Sequence, residues 1–154
     1  MDRAILESYA AGADRPAAAI AGLSPAELDR RPVPDTWSIR EIVVHLMDSD
    51  LISAYRMKRV IAEDNPLLLG YDEAAFALRL GYGRQDAADA AELFRLNRRL
   101  MAEILRSLPA EAFARTGVHS ERGKLTLAEL VQHYVEHVEH HLRHLHEKRQ
   151  MPGK

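Results

Sequence analysis

The same arrangement of four residues, typical of the start of a helix, occurs at two places in the sequence, and this repetition points to a helical fold. Ser38 and Glu41 have the spacing of a capping box, in which a hydroxyl and a carboxylate satisfy free backbone N–H groups at a helix start. Trp37 and Ile42 flank the box as a hydrophobic staple. The second set has the same spacing and consists of Thr126, Glu129, Leu125 and Leu130. We therefore expect long helices to begin at residues 38 and 126.

Apolar periodicity and chain-breaking residues divide the sequence into helices and connections. The expected helices cover about residues 2–21, 38–62, 86–108 and 126–148. The first is expected to bend near Gly12 and Pro16. The connection 63–85 includes a short helix at 72–79, and the connection 109–125 can close a hairpin; no other strand is expected. This pattern predicts an all-α fold, an up-down four-helix bundle with long crossover connections.

The third helix has an apparent apolar stripe and a cluster of arginines. The stripe is expected to consist of Leu93, Leu96, Leu100, Ile104 and Leu108. Arg95, Arg98 and Arg99 fall elsewhere on the helix, and we interpret them as a solvated face.

Composition narrows the class of protein. A chain of 154 residues with a formal net charge of −2 suits one domain over residues 1–150, followed by a tail at 151–154. Because that charge is slightly negative, we expect no nucleic-acid partner. No apolar run is long enough to span a membrane. Residues 1–8 lack the features of a signal peptide, so we expect a cytoplasmic protein. The absence of cysteine excludes disulfides, thiolate metal sites and cysteine nucleophiles.

Histidine is concentrated near the end of the sequence, where six of the eight lie within residues 133–146. On an ideal helix, His141 lies about 50° and His137 about 90° from the centre of the apolar face, which turns both inward. Their i, i+4 spacing brings the two rings together and suits a shared divalent ion. Surface positions are expected for His119, His133, His140 and His146.

A third ligand has to come from another helix, and geometry leaves two candidates. His45 lies at the edge of the apolar stripe of the second helix, about 110° from its centre, whereas Asp50 lies about 30° from it. A carboxylate buried at Asp50 needs a partner, because an unpaired buried charge is costly. The residues alone therefore allow either His45 or Asp50 to complete the site.

Five stretches of the sequence resemble one known family. Residues 34–49, PDTWSIREIVVHLMDS, resemble a signature of the DinB-like superfamily. Further matching stretches follow in order and extend over nearly the whole chain: 63–66 (EDNP), 71–73 (YDE), 116–123 (TGVHSERG) and 134–144 (YVEHVEHHLRH). Together they are most similar to the branch named for metal-dependent hydrolases and bacillithiol S-transferases. The resemblance implies a four-helix bundle that forms homodimers and holds one divalent ion with three histidines. Matched by position, these are His45, His137 and His141, so the preference for His45 over Asp50 comes from the resemblance.

The implied ligand set limits the chemistry. Three neutral imidazoles leave coordination positions open, and Zn, Ni, Fe or Mn would suit them. Such an ion can lower the pKa of bound water to about 7 for hydrolysis, or it can bind a thiol for S-transfer. Because the chain has no cysteine, that thiol would be an external cosubstrate of the bacillithiol type. Asp50 and His144 are candidates for orienting a ligand ring or relaying a proton.

We therefore expect a metal-dependent hydrolase or a small-thiol S-transferase that acts on a small molecule. The alternative is a non-catalytic module of the same fold that binds a metal ion or serves in a stress response.

Overall fold

The computed structural model describes residues 3–151 and contains the predicted four-helix bundle. In chain order the helices are α1 (Arg3–Ala11), α2 (Arg15–Ile20), α3 (Pro25–Asp29), α4 (Ile39–Ala62), α5 (Glu73–Arg79), α6 (Ala87–Ser107) and α7 (Leu127–Gln150). A 3-10 turn at Gly12–Asp14 separates α1 from α2, which together form the first bundle helix, and it lies where the sequence predicts a bend. Residue 2, the predicted start of that helix, and residues 152–154 of the predicted tail lie outside the described residues.

The helices that succeed one another in the chain are not all neighbours in the bundle. Helix α4 packs against α6 and α7, and α1 packs against the same two helices. The first and second bundle helices therefore lie on a diagonal, and the connection between them crosses an end of the bundle. Within residues 3–151, no helix combines the length and the apolar character needed to cross a membrane.

Both predicted capping boxes are formed. The Ser38 hydroxyl accepts the Glu41 backbone N–H at 3.2 Å, and the Ser38 N–H donates to the Glu41 carboxylate at 2.7 Å. Thr126 and Glu129 repeat these bonds at 3.1 and 2.7 Å at the start of α7. The boxes therefore fix the first residue of α4 and of α7.

The two long connections pair with each other as a small sheet, which the sequence only partly predicts. The predicted hairpin is formed by β2 (Thr116–His119) and β3 (Gly123–Thr126), which are antiparallel. The expectation of no further strand is wrong, because β1 (Leu67–Leu68) adds a parallel edge to β2. A Cβ at Gly117 would lie 2.9 Å from the Leu68 side chain, so this glycine lets the connections approach. Strands this short are set by tertiary contact, which hydrophobic alternation does not reveal.

The predicted apolar stripe of α6 is wrong. Leu93, Leu96 and Leu100 are exposed, and Ile104 and Leu108 are only half-buried. The buried face instead consists of Ala87, Ala90, Ala91, Phe94, Arg98, Met101, Ala102 and Leu105. This face escapes a search for large apolar residues because half of it is alanine, whose small side chain brings helices close together.

The interpretation of Arg98 as solvated is also wrong, since its side chain is 1% exposed. Two apolar clusters fill the ends of the bundle, and Arg98 lies between them on α6. Its guanidinium forms an ion pair with Asp50 of α4 at 2.8 Å and stacks over the rings of Tyr9 and Phe94. A Cβ at Gly12 would lie 2.9 Å from Arg98 Nη1, so the absence of a side chain at this glycine makes room for the buried arginine.

Candidate metal centre

Helices α4 and α7 bring together His45, His137 and His141, the three histidines implied by the family resemblance. One ring nitrogen from each lies within 4.8 Å of the others. The Nε2 atoms of His45 and His137 are 3.2 Å apart, close to the about 3.3 Å expected between two tetrahedral ligands of one zinc-type ion. His141 completes a triangle, with its ring centroid 4.5 Å from that of either neighbour.

Burial keeps these imidazoles neutral. Loss of solvent lowers the pKa of His45 to about 3, that of His137 to about 2 and that of His141 to about 4, with smaller contributions from neighbouring imidazoles. A neutral imidazole offers a nitrogen lone pair, which is the form that binds a metal ion. The donor set therefore fits a divalent ion without any proton having to be removed at neutral pH.

The alternative third ligand lies in a different environment. The Asp50 carboxylate accepts hydrogen bonds from Asn97 at 2.7 Å and from Arg98 at 2.8 and 3.0 Å. It does not belong to the histidine group found among the described residues. Its connection to the histidines is indirect, since Arg98 also donates to the Tyr134 backbone carbonyl at 3.1 Å, one turn before His137.

His144 lies at the surface beyond the cluster. Its side chain is 49% exposed and contacts Glu147 at 3.2 Å. Its ring lies 4.7 Å from that of His140, which is also exposed. The predicted surface positions of His140 and His146 agree with the structure, because both side chains are exposed.

Two further histidines are less exposed than the sequence indicates. The expectation of an exposed His119 is wrong: it is 6% exposed, because alternation along β2 turns it inward. Its Nδ1 accepts the Glu121 backbone N–H at 3.2 Å. His133 is half-buried, and burial lowers its pKa. A helical wheel places His133 relative to α7 alone and cannot include the connections that cover it.

Polar groups that sequence reasoning did not assign surround His45. Ser49 Oγ lies 3.4 Å from His45 Nε2 and shares a hydrogen bond with the Tyr71 hydroxyl. A Glu73 carboxylate oxygen lies 3.9 Å from the same nitrogen, and burial raises the pKa of Glu73, helped by the charge of Glu121. Residues 71–73 belong to a stretch that resembles the family, but no spacing in the sequence predicts that they lie next to α4.

Two cavities adjoin the histidines and differ in polarity. A cavity of about 380 Å³ extends from His141 and is lined mainly by apolar groups, including Val33, Trp37 and Ile42. Trp37, the predicted staple residue, also lies beside His45 with ring centroids 4.7 Å apart. A second cavity of about 300 Å³ extends from His137 and is polar. Its titratable lining residues are Arg56, Tyr71, Glu73, His119, Glu121, Arg122, His133, Tyr134 and His137.

Comparison with known proteins agrees with this geometry. A family model described as the DinB superfamily matches residues 9–145. The chain belongs to the DinB superfamily. The predicted DinB-like four-helix bundle is thereby confirmed.

Several relatives of this DinB chain carry the same functional name. "Putative metal-dependent hydrolase YfiT" of Bacillus subtilis is 30% identical over 129 residues, which make up 82% of this chain and 72% of the relative. A "Putative metal-dependent hydrolase" of Oceanobacillus iheyensis is 29% identical over 123 residues, 80% of this chain and 71% of the relative. The solved structure of YfiT, described as "a probable metal-dependent hydrolase with an unusual four-helix bundle topology", matches with a TM-score of 0.88 at 25% identity. That match covers 94% of this DinB chain and 83% of YfiT.

Proposed function

We propose that this protein is a metal-dependent hydrolase whose divalent ion is held by His45, His137 and His141. The supporting observation is that three neutral, inward-facing imidazoles from two helices converge beside two cavities. An ion held by three imidazoles keeps positions open for substrate and supplies Lewis-acid activation of water or of a carbonyl or phosphoryl oxygen. Zn, Ni, Fe and Mn all suit this donor set.

Glu73 is the side chain best placed to move a proton in that reaction. Its carboxylate oxygen is 3.9 Å from His45 Nε2. Its pKa is raised, which makes the carboxylate a stronger base for taking a proton from water. In our proposal Glu73 takes the proton of the attacking water at this oxygen. The linked hydroxyls of Ser49 and Tyr71 orient an oxygen of the substrate from the neighbouring side.

The apolar cavity lies on the other side of the centre, next to His141. Trp37 covers His45, which is fully buried, and its ring lies 6.2 Å from that of His141. We propose that this cavity holds an apolar part of a small-molecule substrate, because burying such a group removes it from water.

Metal content tests the first part of the proposal. Elemental analysis of the untagged protein should find about one equivalent of a divalent metal, and His45→Ala should lose it, because a third ligand is removed. His146→Ala, on the exposed side of α7, is the matched control and should keep it. Trp37 is the single tryptophan, so quenching of its fluorescence by added Ni²⁺ provides a second readout. No metal in the wild type and no quenching by added ion would overturn the proposal.

Turnover tests the reaction class. Metal-loaded protein should hydrolyse members of an ester, amide and phosphoester panel, and Glu73→Gln should lower kcat with the metal still bound. Turnover only when a small thiol is added with an electrophile such as a chlorodinitrobenzene would favour S-transfer instead. Metal binding without turnover in either assay would favour the non-catalytic module.

Three further expectations accompany this proposal. A single domain over residues 1–150, a cytoplasmic location and a homodimer all stay predictions. Size-exclusion chromatography with light scattering tests the homodimer directly.

A further inference from the structure

The polar cavity contains a buried positive charge that the proposed reaction does not use. Arg56 of α4 lines this cavity, and the residue is only 7% exposed. It follows His45 by eleven residues, about three helical turns, so both side chains leave the same face of α4. Long helical side chains lean toward the helix N-terminus, which directs Arg56 toward the histidine end of the cavity.

Arg56 has only neutral partners. Its Nη1 donates to the Tyr134 hydroxyl at 2.7 Å, and its Nη2 donates to the Leu69 carbonyl. Its buried Nε has no hydrogen-bond partner among the residues that the structure describes. Within residues 3–151, no carboxylate oxygen lies within 4.0 Å of this guanidinium. Buried charges are normally paired, so the cavity lacks the anion that Arg56 requires.

The bundle supplies that pairing elsewhere. Arg98 is also buried, and its guanidinium is paired with the Asp50 carboxylate. The fold is therefore able to place an internal carboxylate beside a buried arginine. Arg56 has no such carboxylate among the described residues, and its side chain lines the polar cavity instead.

The other charged groups of the cavity leave Arg56 unpaired. Glu73 and Glu121 also line the cavity, but neither carboxylate lies within 4.0 Å of the Arg56 guanidinium, and burial, together with repulsion by the charge of Glu121, raises the pKa of Glu73. Arg122 lines the cavity from an exposed position and adds a second positive charge near its mouth. His119 and His133 remain neutral, because burial and the nearby arginines lower their pKa values.

We propose that the polar cavity seats an oxyanion group of the substrate, a carboxylate or a phosphate, on Arg56. Arginine presents several N–H donors in a planar fork that matches such groups, and its buried position strengthens the interaction. A volume of about 300 Å³ suits a small molecule that carries this group and a short carbon skeleton. The inference rests on the proposed function only in placing the reacting bond at His137, which lines the same cavity.

The test measures anion binding to EDTA-treated protein, so that coordination to a metal cannot contribute. Sodium acetate and inorganic phosphate are titrated separately at matched ionic strength, and the apparent affinity is taken from the rise in melting temperature and from calorimetry. At least one anion should bind the wild type. Arg56→Gln should weaken that binding about tenfold or more, the usual loss for a hydrogen bond to a charged group.

Two further variants make the result specific. Arg59→Gln removes a positive charge three residues further along α4, where Arg59 pairs with Glu63 at 2.5 Å, and it should leave anion affinity unchanged. His133→Glu places a carboxylate inside the same cavity and should abolish the anion-dependent rise in melting temperature, even if Arg56→Gln does not fold. Acetate binding alone would assign a carboxylate, and phosphate binding alone would assign a phosphate.

Three results would overturn the inference: equal affinities in wild type and Arg56→Gln, no binding of either anion, or binding that requires added metal. The last result would leave the proposed metal centre intact. Conversely, anion binding by a protein that takes up no metal would refute the proposed function and keep the Arg56 site.

Discussion

The Asp50–Arg98 ion pair and the histidine cluster are both buried polar groups, but they are built in opposite ways. The Asp50–Arg98 ion pair is closed: both side chains are 1% exposed, and Asn97 supplies a further donor to the carboxylate. The histidine cluster is open. His45 Nδ1 is buried without a hydrogen-bond partner among the described residues, and cavities adjoin His137 and His141. Both groups connect α4 with a neighbouring helix, yet only the ion pair satisfies its own polar atoms.

This difference separates a structural role from a binding role. A satisfied buried pair stabilises one arrangement of helices and leaves nothing for a ligand to contact. A group of neutral imidazoles with free nitrogen atoms gains its partner only from outside the chain. The following predictions test that separation, beginning with the largest expected effect.

Breaking the ion pair should cause the largest loss of stability. Asp50→Asn leaves Arg98 buried without a counter-charge, and we expect the free energy of unfolding to fall by about 3–5 kcal/mol. Urea denaturation in EDTA measures this loss. The double variant Asp50→Asn/Arg98→Met should lose less free energy of unfolding than the sum of the losses in the two single variants. A loss below about 1 kcal/mol for Asp50→Asn would contradict the structural role of the pair.

Metal bound at the histidine cluster should stabilise the folded protein, and this stabilisation should not depend on the Asp50–Arg98 ion pair. At a free Zn²⁺ concentration 100 times the dissociation constant, a folded-state site raises the free energy of unfolding by about 2.7 kcal/mol. We expect Zn²⁺ to raise the free energy of unfolding by this amount in the wild type and also in Asp50→Asn, although that variant is less stable to begin with. His141→Ala should show no such increase. Denaturation with and without Zn²⁺ measures it. A gain that disappears in Asp50→Asn and persists in His141→Ala would reverse the roles of the two groups.

The histidine cluster should also make the metal-free protein sensitive to acid. Burial lowers the pKa of His45, His137 and His141 below the ordinary value of 6.5, so under about pH 6.5 the unfolded chain binds more protons than the folded one. The free energy of unfolding therefore falls as the pH decreases from 6.5 toward 4. Each histidine contributes a slope that approaches about 1.4 kcal/mol per pH unit. His137→Gln should flatten the curve in this window, whereas His146→Gln should not, and equal slopes in all three proteins would refute the assignment.

The sequence predicts those parts of the fold that local signals determine. The capping boxes at Ser38 and Thr126 place the starts of α4 and α7, and the spacing of His137 and His141 follows from helical geometry alone. The strand β1 was missed because two residues carry no periodicity. Its pairing depends on Gly117, which is fifty residues away in the sequence.

The candidate site is predictable to a smaller extent. Helical wheels left His45 and Asp50 as alternatives, because a wheel ranks positions by the apolar residues around them and cannot show a partner on another helix. Asp50 lies nearer the centre of its stripe because Arg98 neutralises it there. The sequence alone assigned no role to Glu73 or Arg56. Glu73 lies in the connection between α4 and α6, and Arg56 lies on α4 but bonds to Leu69 of that connection, so only tertiary contacts bring the two to one cavity.

A substitution on the exposed face of α6 should have the smallest effect on stability. It compares an exposed residue with the buried Arg98 on the same helix. Leu100 is 61% exposed and lies two residues after the buried Arg98. Leu100→Gln should change the free energy of unfolding by less than about 0.5 kcal/mol, because an exposed side chain loses little contact. Urea denaturation with light scattering measures stability and mass together. If the variant loses more than about 1 kcal/mol and its mass falls by half, the leucines of this face are buried against a second copy in solution. The homodimer prediction would then gain a defined surface on α6, on the opposite side of the helix from the Asp50–Arg98 pair.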